Sequence, residues 1–221
     1  MSLTPSSPVP RRGFLFRLSQ ATAGLTALFV DSTATAALVA SDDPDAWMNR
    51  LTGQYKVMIH AHQYFMTALV DARTMLANAR EQYSVPEAQE SIAVVTHGQA
   101  IQGLFRDEIW QRFALGTFYK VNDPKTGTSA TRNIYLTPQE GEPADAAVLE
   151  LMKRGVTFVV CGVAIRNLAR KLAREGNSPE SIQQELVAGL VPGTFLVPDV
   201  FVSMQRAQKR GVAYIFTDRS R

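Results

Sequence analysis

The chain has 221 residues, 46% of them hydrophobic, enough for one sizeable core and too few for two ordinary domains to be the default. The formal charge of +3 includes Arg11, Arg12 and Arg17 near the start, and from residue 37 onward 20 Lys and Arg face 19 Asp and Glu. So nearly neutral a body offers no broad basic surface, and nucleic acid is not an expected partner.

The first segment reads as an address. Pro10-Arg11-Arg12-Gly13-Phe14-Leu15 resembles the twin-arginine export motif, followed by a modest apolar run from Leu18 to Val30 and by small residues at Ala34-Thr35-Ala36. The run is too short to span a bilayer comfortably. Residues 1–36 are therefore expected to be a signal peptide cleaved after Ala36, with the twin-arginine translocase as a transient partner and no stable membrane insertion afterwards. The destination is the periplasm or the cell exterior. This route carries folded proteins, so a cofactor or an oligomer assembled beforehand is permitted without being required, and no cofactor is expected.

Residues 37–53 form a linker with a short helix begun by the Ser41-Asp-Asp-Pro-Asp45 run and stopped by Gly53. A first strand is predicted over residues 55–61 and an amphipathic helix over 65–83, with Phe65, Leu69, Ala72, Leu76 and Ala79 on one face. Residues 92–98 read as a second strand, β-branched and apolar on both faces, as a buried parallel strand should be. A helix over 99–110 comes next, then a long irregular section over 116–144 whose aromatics Phe118, Tyr119 and Tyr135 favour an ordered lid or oligomer contact. Lys125-Thr126-Gly127 lacks the glycine-rich loop of a nucleotide site. Asp145 is expected to cap a helix through Arg154, with Gly155 leading into a third strand over 157–161. A basic helix over 165–175, a short helix from Ser178 to Gly189, a strand over 194–197, a helix from Asp199 to Arg210 and a strand over 212–216 complete the chain. Strands alternating with helices imply a mainly parallel sheet of about five strands covered on both faces, an α/β fold over residues 54–221.

In such sheets ligands sit beyond the carboxyl ends of the strands. His60 and His62 follow the first strand, His97 and Gly98 end the second, and Cys161 and Gly162 end the third, so three histidines and the sole cysteine are expected at one edge. Two chemistries fit. In the first, Cys161 is a nucleophile: at a helix start, with Arg166 one turn on, its thiolate form would be favoured. In the second, His60, His62, His97 and Cys161 hold a metal, since nitrogen and sulfur suit zinc or copper. In an oxidising compartment an unpaired cysteine is otherwise buried, paired with another chain, or reactive.

Three stretches carry a family resemblance: Val-Val-Thr-His97-Gly98-Gln-Ala; Leu-Met-Lys-Arg-Gly155-Val-Thr-Phe-Val-Val-Cys161-Gly162; and Val197-Pro198-Asp-Val-Phe through Gly211-Val-Ala-Tyr214-Ile. Together they resemble the DsrE/DsrF-like family of sulfur-relay proteins over roughly residues 54–217, with the long section after Phe113 as an elaboration. The resemblance implies a three-layer α/β/α fold, assembly into homotrimers or hexamers, and a cysteine that carries persulfide sulfur between donor and acceptor proteins. Cys161 matches that cysteine, with His60, His97, Gly98, Gly162 and Arg166 as its surroundings. Sulfur-relay members work in the cytoplasm, and the export leader departs from that pattern. The expected function is an exported protein that binds or relays sulfur at Cys161; the alternative is a non-enzymatic oligomeric protein whose cleft takes a small ligand or metal.

Overall fold

The computed structural model describes residues 43–173 and 176–217. The leader, the cleavage site after Ala36 and the last two residues of the basic helix expected over 165–175 lie outside the described residues. β1 (Tyr55–Ala61), β2 (Glu90–Thr96), β3 (Thr157–Cys161), β4 (Phe195–Val197) and β5 (Ala213–Thr217) form a five-stranded sheet in the order β4-β3-β2-β1-β5. Every pairing is parallel.

Side chains alternate across a strand, and the alternation divides the core in two. Val57, Ile59, Ile92, Val94, Phe158 and Val160 join one apolar cluster. It is covered by α1 (Phe65–Tyr83), α2 (Asp107–Arg112), α3 (Leu115–Tyr119), α4 (Val148–Lys153), α5 (Gly162–Leu172) and α6 (Pro179–Ala188). Met58, Ala93, Val95, Val159 and Cys161 face the other way, against the 3-10 helix Ala46–Arg50 and α7 (Val200–Lys209). The fold is thus a three-layer α/β/α sandwich with one thick and one thin outer layer. In the thin layer Trp47 is fully buried, and its indole N–H donates to Ser203 Oγ at 2.8 Å. Asp45 accepts from Arg206 and Arg210, tying the short helix to α7.

The switch in layers sets the position of a cleft. The chain leaves β1, β2 and β3 toward the thick layer and leaves β4 toward α7 on the thin one, so the connections diverge between the carboxyl ends of β3 and β4. A crevice is expected where neighbouring strands part in this way.

Several elements differ from the sequence expectation, each for a local reason. The helix expected over 99–110 is broken into a 3-10 helix, Gly98–Leu104, and α2. Phe105 between them is extended and bridges Leu190, while the Asn133 amide donates to the carbonyls of both Gly103 and Phe105. Asp145 does not cap the helix before β3, which starts at Val148. Its carboxylate instead accepts from Arg73 and Arg154. The basic helix begins at Gly162, with Cys161 itself as N-cap and no loop between strand and helix. The section over 116–144 is held by α3, by an Asn122–Ser129 bridge and by Arg132, which donates to Asp123 and Gln139.

Candidate functional site

β2 ends at Thr96, and the next three residues turn the chain sharply. His97 is extended, and Gly98 adopts φ +60°, a left-handed conformation that favours glycine. A Cβ on Gly98 would lie 2.1 Å from His62 Cδ2, so this glycine is also what lets the His62 ring pack over the turn. Ala100 N–H donates to the His62 carbonyl at 2.8 Å, and His97 N–H donates to the Ala61 carbonyl at 3.1 Å, fastening the turn to the end of β1.

These backbone ties stack three imidazoles. His62 lies on His97 with ring centroids 4.4 Å apart and planes at 17°, and His97 lies on His60 at 4.8 Å and 29°. His60 projects from the thin-layer face of β1 and is buried, at 4% exposure. Both of its ring nitrogens are engaged: Nε2 is 2.8 Å from His97 Nδ1, and Nδ1 is 2.9 Å from the Tyr214 hydroxyl on β5. Burial pushes the Tyr214 hydroxyl pKa up, which keeps the phenol neutral and able both to donate and to accept. Phe201 closes the edge, meeting His97 at 4.8 Å and 73°.

The crevice between the diverging connections is a cavity of about 430 Å³. Its wall includes His62, His97 and Gly98 from the β1 and β2 ends, and Cys161 from the end of β3. The first turns of α5 supply Val163, Ala164 and Asn167; α7 supplies Asp199 and Phe201; Phe118 and Tyr119 of α3 also reach it. Among its charged groups are Lys171 and Asp199, the carboxylate of Asp199 capping α7 by accepting from Phe201 N–H at 2.8 Å. Burial pushes the Tyr119 hydroxyl pKa upward, so it too faces the site as a neutral phenol.

The structure therefore brings His62, His97, Gly98 and Cys161 to one cavity and places His60 directly behind it. Gly162 and Arg166 sit differently. Gly162 opens α5 under the β4 exit, where a Cβ would meet the carbonyl oxygens of Val197 and Pro198 at 3.0 and 3.2 Å and the Arg166 guanidinium at 3.6 Å. Arg166 thus packs beside Gly162 and is not part of the cavity wall; Lys171, two turns from the start of α5, is the cation that lines it. The metal set of His60, His62, His97 and Cys161 also fails in geometry. His60 spends both nitrogens on Tyr214 and His97, and among the described residues no group of three or more His, Cys, Asp and Glu is arranged to hold a metal ion.

Sequence reasoning missed Tyr214, Phe201 and Lys171 as members of the site. Phe201 carried a usable signal, lying two residues into the helix that follows a strand end. Tyr214 carried none, because its approach to His60 depends on β5 pairing with β1, which places Phe216 beside His60 in register and Tyr214 two residues back on the same face.

Cys161 belongs to the apolar cluster with Val95, Val159, Val197 and Val200, is 3% exposed, and is part of the cavity wall. A thiol in that position shares a cavity wall with imidazoles, groups able to take up a nucleophile's proton.

No protein-family model matches the chain, and no curated protein matches it. Among solved structures, a protein of unknown function from Methanobacterium thermoautotrophicum aligns over 74% of this chain and 99% of its own, at 18% identity and a TM-score of 0.39. That likeness supplies neither a ligand nor a reaction.

Proposed function

We propose that this is an exported DsrE-like protein that carries sulfur as a persulfide on Cys161. The observation that supports it is the position of the only cysteine in the chain: the last residue of β3 and N-cap of α5, on the wall of the cavity at the layer switch. Sulfane sulfur is readily lost to thiols and oxidants, and a largely buried cysteine on a cavity wall shelters such cargo. The twin-arginine-like leader and the family-like stretches around His97, Cys161 and Tyr214 support the same reading from sequence.

Self-association belongs to the proposal. Phe201, Val202 and Phe216 are exposed on the thin-layer side, a cluster of large apolar groups that assembly would cover, and a homotrimer or hexamer is the state expected from the resemblance. A sulfur donor and an acceptor protein complete the partners. Mass spectrometry of the protein from its own host tests the reading: a sulfur adduct on Cys161 supports it, and a thiol that is never modified and does not react in the folded state sinks it.

One observation favours a second reading. At 3% exposure Cys161 has the burial of a core residue, so the same cavity would suit a binding protein in which the cysteine only packs. Ligand retention by Cys161→Ser, with no sulfur on the wild-type protein, would select that reading.

A further inference from the structure

We propose that Tyr214, His60 and His97 form a proton relay joining the cavity that holds Cys161 to the protein surface, so that a proton taken up at His97 in the cavity is released at Tyr214. The inference deepens the sulfur-carrier reading and rests on it for its purpose, although the chain of contacts stands on its own geometry.

Two distances fix the logic. A contact of 2.8 Å between His60 Nε2 and His97 Nδ1 requires one nitrogen to carry a hydrogen and the other to offer a lone pair. When both rings are neutral only two arrangements satisfy it. In one, Tyr214 Oη–H donates to His60 Nδ1, His60 Nε2–H donates to His97 Nδ1, and His97 carries its hydrogen on Nε2. In the other every bond is reversed: His97 Nδ1–H donates to His60 Nε2, and His60 Nδ1–H donates to Tyr214 Oη. Both histidines therefore always share one tautomer, and the two states differ by one proton moved along the whole chain. The inner end, His97, is on the cavity wall with Cys161; the outer end, Tyr214, is 42% exposed at the surface of the single chain. His60 between them is buried, so the middle of the path is shielded from water. Among the described residues, the other titratable groups near the inner end are His62, stacked on His97, with Lys171, Asp199 and Tyr119 on the cavity wall.

Sulfur loading gives the relay its use. The donor is a small persulfide, R–S–SH. His97, on the same cavity wall, takes the proton from Cys161 Sγ through a water in the cavity, and Sγ attacks the terminal sulfur of the donor. The new Sγ–S bond forms as the donor S–S bond breaks, its electron pair leaving on R–S⁻. That thiolate takes a proton from water, leaving hydroxide, and the relay passes the first proton out through Tyr214 to solvent, where it neutralises that hydroxide. The products are Cys161–S–SH and R–SH, and no outside oxidant or reductant is consumed. His97 is the acid–base group; His60 and Tyr214 are positioning residues that set its tautomer.

Histidine-selective ¹⁵N NMR of the full chain, with Tyr214→Phe and His60→Gln, tests this directly. The relay predicts matched tautomers for His60 and His97, and it predicts that removing the Tyr214 hydroxyl shifts the ring ¹⁵N signals of both residues. A purely structural tyrosine would disturb His60 alone. Opposite tautomers, or a His97 signal unmoved in Tyr214→Phe, would overturn the relay. In parallel, loading of Cys161 by a small alkyl persulfide in H₂O and D₂O should be about tenfold slower in Tyr214→Phe, at the low end of acid–base effects, with a smaller solvent isotope effect. His60→Gln, which keeps a hydrogen bond to His97 but cannot pass a proton, should show the same loss. Unchanged rate and isotope effect in both variants would defeat the relay and leave the carrier reading intact. Coupled histidine signals in a protein whose Cys161 takes up no sulfur would do the reverse.

Discussion

Gly98 shows how one missing side chain arranges a site. Its φ of +60° is one that L side chains rarely adopt, and its open Cα is the space into which the His62 ring packs. Gly98→Ala should therefore lower the unfolding free energy by about 1–3 kcal/mol and move the His62 ring signals. Denaturant unfolding and histidine NMR read the two effects together, and a variant of unchanged stability with unmoved His62 would contradict this account. Asn133 acts at the same scale away from the cavity. Its buried amide donates to the Gly103 and Phe105 carbonyls and its Oδ1 accepts from Tyr135 N–H, three bonds that hold the break between the 3-10 helix and α2. Asn133→Ala leaves those groups unmet and is expected to cost about 2–4 kcal/mol, measurable as a lower denaturation midpoint. Neither role could be read from the sequence. The strand ends carrying His97 and Cys161 are marked by apolar β-branched runs, whereas the contacts of Gly98 and Asn133 join segments whose meeting depends on tertiary packing.

Among the elements, the thin outer layer is the vulnerable one. Among the described residues it consists of α7 and one 3-10 helix over the sheet face that also carries His60 and Cys161. Trp47 is the largest side chain filling that interface, and Trp47→Ala should cost about 3–5 kcal/mol while exposing Cys161 to thiol reagents. Thiol labelling faster than in the wild type, at denaturant concentrations where the sheet remains folded, is the expected readout. The same layer is sensitive to acid. The Arg206 hydrogen bond, with the charges of Arg206 and Arg210, holds the Asp45 carboxyl below its ordinary value of 3.8 despite the opposing effect of burial. The folded state thus takes up this proton less readily than the unfolded chain. The stabilisation is fully present above pH 3.8 and is lost as pH falls through the depressed folded value. Asp45→Asn should accordingly be less stable than the wild type at neutral pH and approach it in acid; parallel stability–pH curves for the two proteins would refute the tie. Element order and type were largely legible here, because periodicity marks β1, α1 and α7 plainly. The division of 98–112 into two helices was not, since Phe105 leaves the helix to meet Leu190, far along the chain.

At the scale of the molecule, the order β4-β3-β2-β1-β5 is what creates the site. Three successive connections pack on one face and the fourth crosses to the other, opening the cavity between β3 and β4 and leaving β5 beside β1, where Tyr214 reaches His60. The strand-end rule indicated the edge from sequence alone. The side of the sheet, the replacement of Arg166 by Lys171 at the cavity wall, and the place of Tyr214 all required the strand order. Assembly is testable at this scale too: if Phe201, Val202 and Phe216 form a contact between copies, light scattering should give a trimer or hexamer for the wild type and smaller species for Phe216→Glu. A monomeric wild type would remove that part of the proposal.

The proposed role of Cys161 requires it to take up sulfur while the protein is folded. Intact-mass measurement after brief exposure of the folded protein to a small alkyl persulfide is the test. One sulfur atom is expected to add to the wild type and none to Cys161→Ser, and that sulfur is expected to pass to an added thiol. A wild-type mass that stays unchanged until the chain is denatured would contradict it.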